Sequence, residues 1–473
     1  MQRIRSGWLS YIIQALFFVC LVHVNCHQAF QQDPGWGQLP EILRRIVPPS
    51  FPAQDFPITV YGAVGDGQTD CTQAFKMAID ACHAAGGGRV VVPEGIWFTG
   101  AIHLQSNVNL FLEKNATIRF SIDPQSYLPV VYTRFEGVEC MNYSPLIYAF
   151  EQENIAVTGQ GILDGGAGAN IWWDWKGPWD NSDNTPTGWS EGMLDQRNDV
   201  ALLQQMANDS IPAADRIFGA GHHLRPNFIQ PYRCTNVLID GVTIKNSPMW
   251  CIHPVLCVNV TVQNVTVESL GPNNDGCNPE SCREVLIKNC YFNTGDDCIA
   301  LKSGRNADGR RVNVPSENIV IQGCHMKNGH GGVTIGSEVS GNVRNVFAED
   351  CVMDSPELDR ALRIKTNPAR GGIIENIYVR NITVGQVKET AIRIDMFYGK
   401  EQGQFYPIVR NIHVTNLNCE QSPHAFIFKG DANSPITQVR IENCQFNGVT
   451  KGFIQENVKD VLLKNVRING KKM

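Results

Sequence analysis

From residue 236 to the C-terminus the chain repeats one pattern of hydrophobic and polar positions. A polar residue opens each copy; three apolar or β-branched positions, a polar pair and an apolar-variable-apolar ending follow. Copies start at Asn236 (NVLIDGVTI), Asn259 (NVTVQNVTV), Glu284 (EVLIKNCYF), Asn318 (NIVIQGCHM), Asn345 (NVFAEDCVM), Asn376 (NIYVRNITV), Asn411 (NIHVTNLNC), Gln438 (QVRIENCQF) and Asp460 (DVLLKNVRI), with a weaker copy at Asn154. Successive starts lie 23, 25, 34, 27, 31, 35, 27 and 22 residues apart. Such spacing fits coils of a β-solenoid with loops of varying size, and not the fixed period of ankyrin or tetratricopeptide arrays. Within a copy the apolar residues alternate at period two, the signature of strands with one buried face. A second strand follows in each coil: CIALKSG from Cys298, GVTIGSE from Gly332, ALRIKTN from Ala361, AIRIDMF from Ala391, AFIFKGD from Ala425 and GFIQENV from Gly452. Its second and fourth positions are mostly apolar, so its third and fifth are expected to face outward. The spacing thus predicts an all-β chain whose residues 57–473 form a single solenoid domain.

Residues 57–104 read as a cap over the open N-terminal end, where bare apolar core and strand edges would otherwise face water. The cap is expected to hold a strand with Val60, a Gly-rich turn at 62–67, a helix near 72–85 and the strand RVVVP at 89–93. Residues 166–230 interrupt the coils with Trp172, Trp173, Trp175, Trp179 and Trp189, and such an insertion is expected over the binding face. At the N-terminus, Arg3 and Arg5 precede an apolar run from Ile12 to Val24, the layout of a signal peptide over 1–26 with a linker at 27–56. Export to a secreted or periplasmic location is expected; lipid anchoring through Cys26 is an alternative, since the residues before it are mostly not small.

Composition narrows the reading further. A net charge of −6 argues against nucleic acid or an anionic membrane as partner, and a polyanionic substrate would need cations gathered at one site. The chain has 16 cysteines. Cys290, Cys324, Cys351 and Cys444 fall at the seventh position of the repeat, where other copies carry Val242, Val265, Ile382, Leu417 and Val466, so they are expected as an interior column of small apolar thiols. Disulfides such as Cys277 with Cys282 are open in an exported protein. No paired CxxC or HxxxH supports a metal site.

The chemistry-bearing residues recur at related places in consecutive coils. Asp296 lies twelve residues after Glu284 and His330 twelve after Asn318, so stacking puts them side by side. Asp275 sits in the preceding turn, GPNNDG. Lys302, Arg363 and Lys365 take outward positions of the second strand. Each alone is more often a solvated turn or an ordinary charged exterior. Together they place three carboxylates, a histidine and three cations on one stretch of surface, the set needed to protonate a glycosidic oxygen, activate water and hold an acidic sugar.

Taken in order, GPNNDG with Asp275, TGDDCIA with Asp296 and Asp297, NGHGGVTIGSE with His330 and RIK at Arg363 to Lys365 resemble glycoside hydrolase family 28, the polygalacturonases, over a region from about Pro57 to the C-terminus. The resemblance implies a right-handed parallel β-helix and inverting hydrolysis of galacturonosidic bonds without metal or organic cofactor. It implies Asp296 as general acid, Asp275 and Asp297 on the water, His330 supporting the acid, and Arg363 and Lys365 on the uronate carboxylate. A tyrosine after the RIK coil is also implied, best matched by Tyr398; Asn273 and Lys302 complete the substrate-binding candidates. The family's Asn-Thr-Asp reads here as Asn273, Asn274, Asp275, so the Asn274 side chain is expected to alter local hydrogen bonding or sugar preference. Like-charge repulsion among the carboxylates is expected to keep Asp296 protonated. The insertion and RPNFIQPYRC (225–234) resemble exo-acting relatives. Alternatives are hydrolysis of rhamnogalacturonan or a substituted pectin, a pectate lyase, and a non-catalytic carbohydrate-binding solenoid.

Overall fold

The computed structural model describes residues 35–178 and 187–473, so the segment expected to be a signal peptide, Cys26 and Trp179 lie outside the described residues. The chain divides into a short unit ending at Gln38, of which Gly35–Gln38 forms a 3-10 turn, and a large unit from Leu39 to Met473. The large unit is a right-handed parallel β-helix.

Each repeat copy is two short strands joined at a bend. In the copy at Asn236, Thr235–Asp240 and Thr243–Lys245 are separate strands, each paired in parallel with its counterpart in the next coil. The conserved pattern of polar positions has a backbone cause. The first residue of every copy, from Asn236 at φ +58° to Asp460 at +54°, and the sixth, from Gly241 at +79° to Asn465 at +53°, adopt left-handed geometry. That geometry costs most L-residues roughly 1–2 kcal/mol, and Asn, Asp and Gly least. The opening asparagines also stack: Asn345 Nδ2 donates to Asn318 Oδ1 at 3.1 Å, and Asn376 Nδ2 donates to Asn345 Oδ1 at 3.0 Å.

Between the bends, side chains enter the core in columns. Val237, Val260, Val285, Ile319, Val346, Ile377, Ile412, Val439 and Val461 are register partners from coil to coil. Cys290, Cys324, Cys351 and Cys444 are buried thiols, as expected of an interior column. A second column comprises Cys234, Cys257 and Cys282, in which the Cys234 and Cys257 N–H groups each donate to the sulfur of the next coil at 3.4 Å, and Cys282 N donates to Ser316 Oγ at 3.3 Å. Cys277 and Cys282 are unpaired, and no disulfide occurs among the described residues.

The second strands build the other face. Strands at 299–301, 333–335, 360–365, 390–395, 424–429 and 452–456 form one parallel sheet, which single bridges at Ile252 and Cys277 connect to strands 229–232, 147–150 and 102–103. The N-terminal end is closed by the helix Thr72–Ala84, which buries Ala74, Phe75, Ala78, Ile79 and Cys82 over strands Asp55–Pro57 and Gly88–Val92. Val60 is not in a strand: the strand stops at Pro57, and Val60 lies exposed in a 3-10 turn, Ile58–Tyr61, closed by Gly62 at φ +92°. Part of the expected linker is also ordered onto the coils. The helix Leu39–Arg45 docks where a glutamate interrupts the asparagine stack, with Arg45 Nε 3.0 Å from Glu284 Oε1 and Val47 N donating to Asn259 Oδ1 at 3.0 Å. An antiparallel hairpin, Val131–Phe135 with Val138–Asn142, turns at Glu136 and Gly137, both at positive φ, and was not anticipated from the repeat.

Asn345→Ala removes two stacking hydrogen bonds and places a Cβ-bearing residue without local side-chain compensation in left-handed backbone. It is expected to destabilise the coil by about 2–3 kcal/mol, read as a lower midpoint in urea unfolding; Asn345→Gly should lose less.

Candidate active site

Four consecutive coils bring the expected residues together. Asp275 ends the 271–275 turn; Asp296 and Asp297 occupy the next coil, joined to it by Gly276 N donating to Asp297 O at 3.0 Å. His330 follows, with Nδ1 3.1 Å from Asp296 Oδ1. From the coil after that, Arg363 NH1 reaches Asp297 Oδ1 at 3.1 Å and Lys365 Nζ reaches Asp297 Oδ2 at 2.6 Å. Carboxylate oxygens of the three aspartates lie within 4.8 Å of one another. Tyr398 enters from the next loop, its ring 5.4 Å from the Arg363 guanidinium and 4.9 Å from Lys365 Nζ. Arg360, Arg363, Lys365, Arg393 and Tyr398 line a cavity of about 390 Å³ beside the carboxylates.

Three anions this close must be compensated, and each is compensated differently. Asp297 accepts from Arg363, Lys365 and Thr334 Oγ1 (3.0 Å); burial opposes its charge, but Lys365 and Arg363 prevail and hold the carboxyl below its ordinary range. Burial likewise opposes ionisation of Asp296, and the His330 imidazolium outweighs it, again holding the carboxyl low. His330 responds in kind: burial pulls it down, yet Asp296 raises it to about 9. Asp275 goes the other way. Burial and then repulsion from Asp296 push it well above the carboxylate range, although Lys302 Nζ lies 3.5 Å away and Asn278 Nδ2 donates at 3.0 Å. Burial first and repulsion from Asp296 second favour the protonated form of Asp275, whereas Asp296, the carboxyl expected to keep a proton, has its own cation in His330. The trio has the spacing of a cation site, but Lys365, Arg363 and Lys302 already supply the charge that an ion would bring.

Other expectations change in detail. The outward positions of the second strand are not exterior, since Lys302, Arg363 and Lys365 are all buried beneath loops. Lys302 is held by Glu338 Oε2 at 3.0 Å as well as by Asp275, and it lies 4.4 Å over the Trp250 ring. Asn273 Oδ1 accepts from Arg225 NH2 at 2.7 Å. Asn274 is fully buried and braces the turn, accepting from Ser269 Oγ and Gly271 N and donating to Ser247 O. Its side chain is committed to turn structure and does not face a sugar.

Sequence reasoning expected the Trp-rich insertion near this centre but missed a second wall beside it. On one side Arg305 joins Glu136 of the hairpin (2.9 Å) to Glu401 (3.0 Å), and Glu401 in turn holds Arg370 at 2.6 Å. These residues are up to 265 positions apart, and no local pattern links them. On another side lies the Trp-rich insertion. Trp172 is buried in the solenoid core, and Trp173 packs against Gly271, where a Cβ would come within 2.1 Å of its ring, while its Nε1 donates to Ser247 O at 3.0 Å. The following Lys176 is thereby brought into the electrostatic field of Asp296. The insertion is thus tied to the turn that carries Asp275.

Residues 218–471 match the family model for glycosyl hydrolases family 28. The chain is 46% identical to a hyperthermoactive exopolygalacturonase of Thermotoga maritima of known structure, with a TM-score of 0.89, covering 93% of this chain and 97% of that one. It is 30% identical to a probable polygalacturonase of Vitis vinifera, over 81% of this chain and 72% of the relative. An exo-poly-alpha-D-galacturonosidase of Dickeya chrysanthemi is 28% identical over 88% of this chain and 74% of its own. The chain belongs to glycosyl hydrolase family 28 and is a glycoside hydrolase.

Proposed function

We propose that this protein hydrolyses α-1,4-galacturonosidic bonds of pectin or polygalacturonate with inversion, releasing galacturonate from chain ends. The observation that carries the reading is the grouping of Asp275, Asp296 and Asp297 beside Arg363, Lys365 and Tyr398, an acid-base centre joined to a cationic pocket for a uronate. The named activities of the relatives support the galacturonan substrate, and the exo-acting ones support chain-end release, as does the insertion tied to the Asp275 turn. A signal peptide over 1–26 and a pectic polysaccharide outside the cytoplasm as partner complete the proposal.

The proton inventory suggests how the roles divide. His330 and Asp296 share one proton, which rests on His330 in the open site. A bound polysaccharide excludes the water that solvates this ion pair, so the proton moves to Asp296 and is available to the leaving oxygen. Asp297, clamped by Lys365 and Arg363, orients the water. Asp297, the ionised carboxylate beside that water, also takes its proton, and Asp275, which keeps its own, hydrogen-bonds the water. The carboxylates are closer than the roughly 6.5–9.5 Å usual for inverting pairs. Inversion is what the resemblance to family 28 implies, and the third carboxyl gives the cluster a group to hold the attacking water beside the acid.

Wild type on polygalacturonate is expected to release saturated monomer, and Asp296→Asn to lose about 10²–10⁴-fold in kcat, measured by chromatography with reducing-end detection. An unsaturated, ultraviolet-absorbing product would sink the hydrolase reading. Proton NMR of the first product should show the β-anomer; an α-anomer would mean retention. The His330 imidazole is expected to titrate at about 9, falling toward its ordinary value in Asp296→Asn. By the same linkage its pairing adds stability that is complete below pH 6.5 and lost as the pH rises through about 9.

A further inference from the structure

One uronate on Arg363, Lys365 and Tyr398 accounts for only part of the cavity of about 390 Å³, whose lining continues onto the next coil with Arg393, Asp395 and Phe397. Arg393 is the register partner of Arg363, so it sits one strand spacing, about 4.8 Å, farther along the solenoid from Asp296. Every sugar of a galacturonan carries a carboxylate, and a chain laid along the coils presents successive sugars to successive coils. We propose that Arg393 and Phe397 bind one further galacturonate, the sugar that follows the one on Arg363 and Lys365 in the direction away from Asp296. The assignment rests on the galacturonan reading above.

The lining of this cavity is cationic. Arg360, Arg363, Lys365 and Arg393 face it with a single carboxylate, Asp395. The remaining counter-ions lie outside the lining: Asp359 and Glu389 hold Arg360, Glu389 Oε2 also accepts from Arg393 NH1 at 3.0 Å, and Asp297 holds Arg363 and Lys365. Arg393 NH2 donates in addition to Asp395 Oδ2 at 2.6 Å. Its guanidinium is therefore fixed before a ligand arrives, with 24% of the side chain still exposed, and a fixed cation loses little entropy when it binds a carboxylate. Arg360 keeps a buried Nε that has no hydrogen-bond partner among the described residues, an unsatisfied donor on a residue of the same lining.

Phe397 supplies the apolar half. It is 46% exposed, yet its backbone is held in place: Phe397 N donates to Asp395 Oδ1 at 2.9 Å, and the next residue is clamped by Tyr398 N donating to Thr366 O at 3.1 Å and Asn367 Nδ2 donating to Tyr398 O at 2.8 Å. A single exposed apolar side chain is ordinary on a protein surface, but this one belongs to the lining of a charged cavity. There its ring can cover the C–H face of a pyranose and remove it from water while Arg393 takes the carboxylate. The direction also fits chain-end release. The Trp-rich insertion is tied to the Asp275 turn at the N-terminal side, so the rest of the polymer leaves over the coil at 390–395.

Steady-state kinetics of wild type, Phe397→Ala and Arg393→Gln on digalacturonate, on trigalacturonate and on the trimer methyl-esterified at the sugar farthest from the bond cut test this assignment. The dimer ends on Arg363 and Lys365, whereas the trimer reaches the added subsite, so wild type is expected to prefer the trimer in kcat/KM by about tenfold or more. Phe397→Ala should cut that preference by about fivefold or more, mainly through KM, the loss of one ring contact. Arg393→Gln should lose more on the acid trimer than on the ester. Wild type with equal kcat/KM on dimer and trimer overturns the assignment, as does Phe397→Ala that weakens both substrates equally. Because Arg393 is salt-bridged, the exposed Phe397 decides the matter should Arg393→Gln fail to fold. Wild type that releases no galacturonate from either acid substrate overturns the galacturonan reading itself, and this assignment with it.

Discussion

Backbone hydrogen bonds between coils, repeated in register from the strand at Gly88 to the one at Lys464, hold the catalytic residues in place. Asp275, Asp296, His330 and Arg363 belong to four different coils, and they meet because parallel strands stack about 4.8 Å apart. A one-residue slip would turn each outward side chain into the core. The left-handed residues at the two bends, with asparagines predominating at the first, guard against it, since a shifted chain would place β-branched residues where φ must be positive.

On this frame the site is an exercise in burying charge. Three carboxylates would repel one another if left alone, and three solutions are used: two cations on Asp297, an imidazolium on Asp296 and a retained proton on Asp275. The differences among these environments are what allow chemically identical side chains to take separate parts in one reaction. All three carboxylates are buried, among partners that come from their own and the neighbouring coils.

Elements outside the repeat shape access. The salt-bridged wall from Glu136 through Arg305 and Glu401 to Arg370 ties together segments that leave the solenoid at different coils. The Trp-rich insertion is anchored by two tryptophans, Trp172 in the solenoid core and Trp173 against Gly271. The coils supply a rigid platform, and the excursions from it define what can reach the acid.

The sequence by itself determined the solenoid, the coil boundaries and the cysteine column, and it named the candidate residues that the coils bring together. It could do so because a β-helix encodes its contacts as a repeat: a residue's neighbours lie one coil away, at the same position of the pattern. Asp296 and His330 could be paired by counting from Glu284 and Asn318 for that reason. Only the tertiary structure decided which carboxyl keeps the proton, that Asn274 braces a turn, that Lys302 is shared between Glu338 and Asp275, and that Val60 lies outside a strand. Protonation depends on burial and on the sum of surrounding charges, and the salt-bridged wall is made of residues with no common register. Long-range contacts between irregular segments leave no period in the chain, so they become visible only when the coils are stacked.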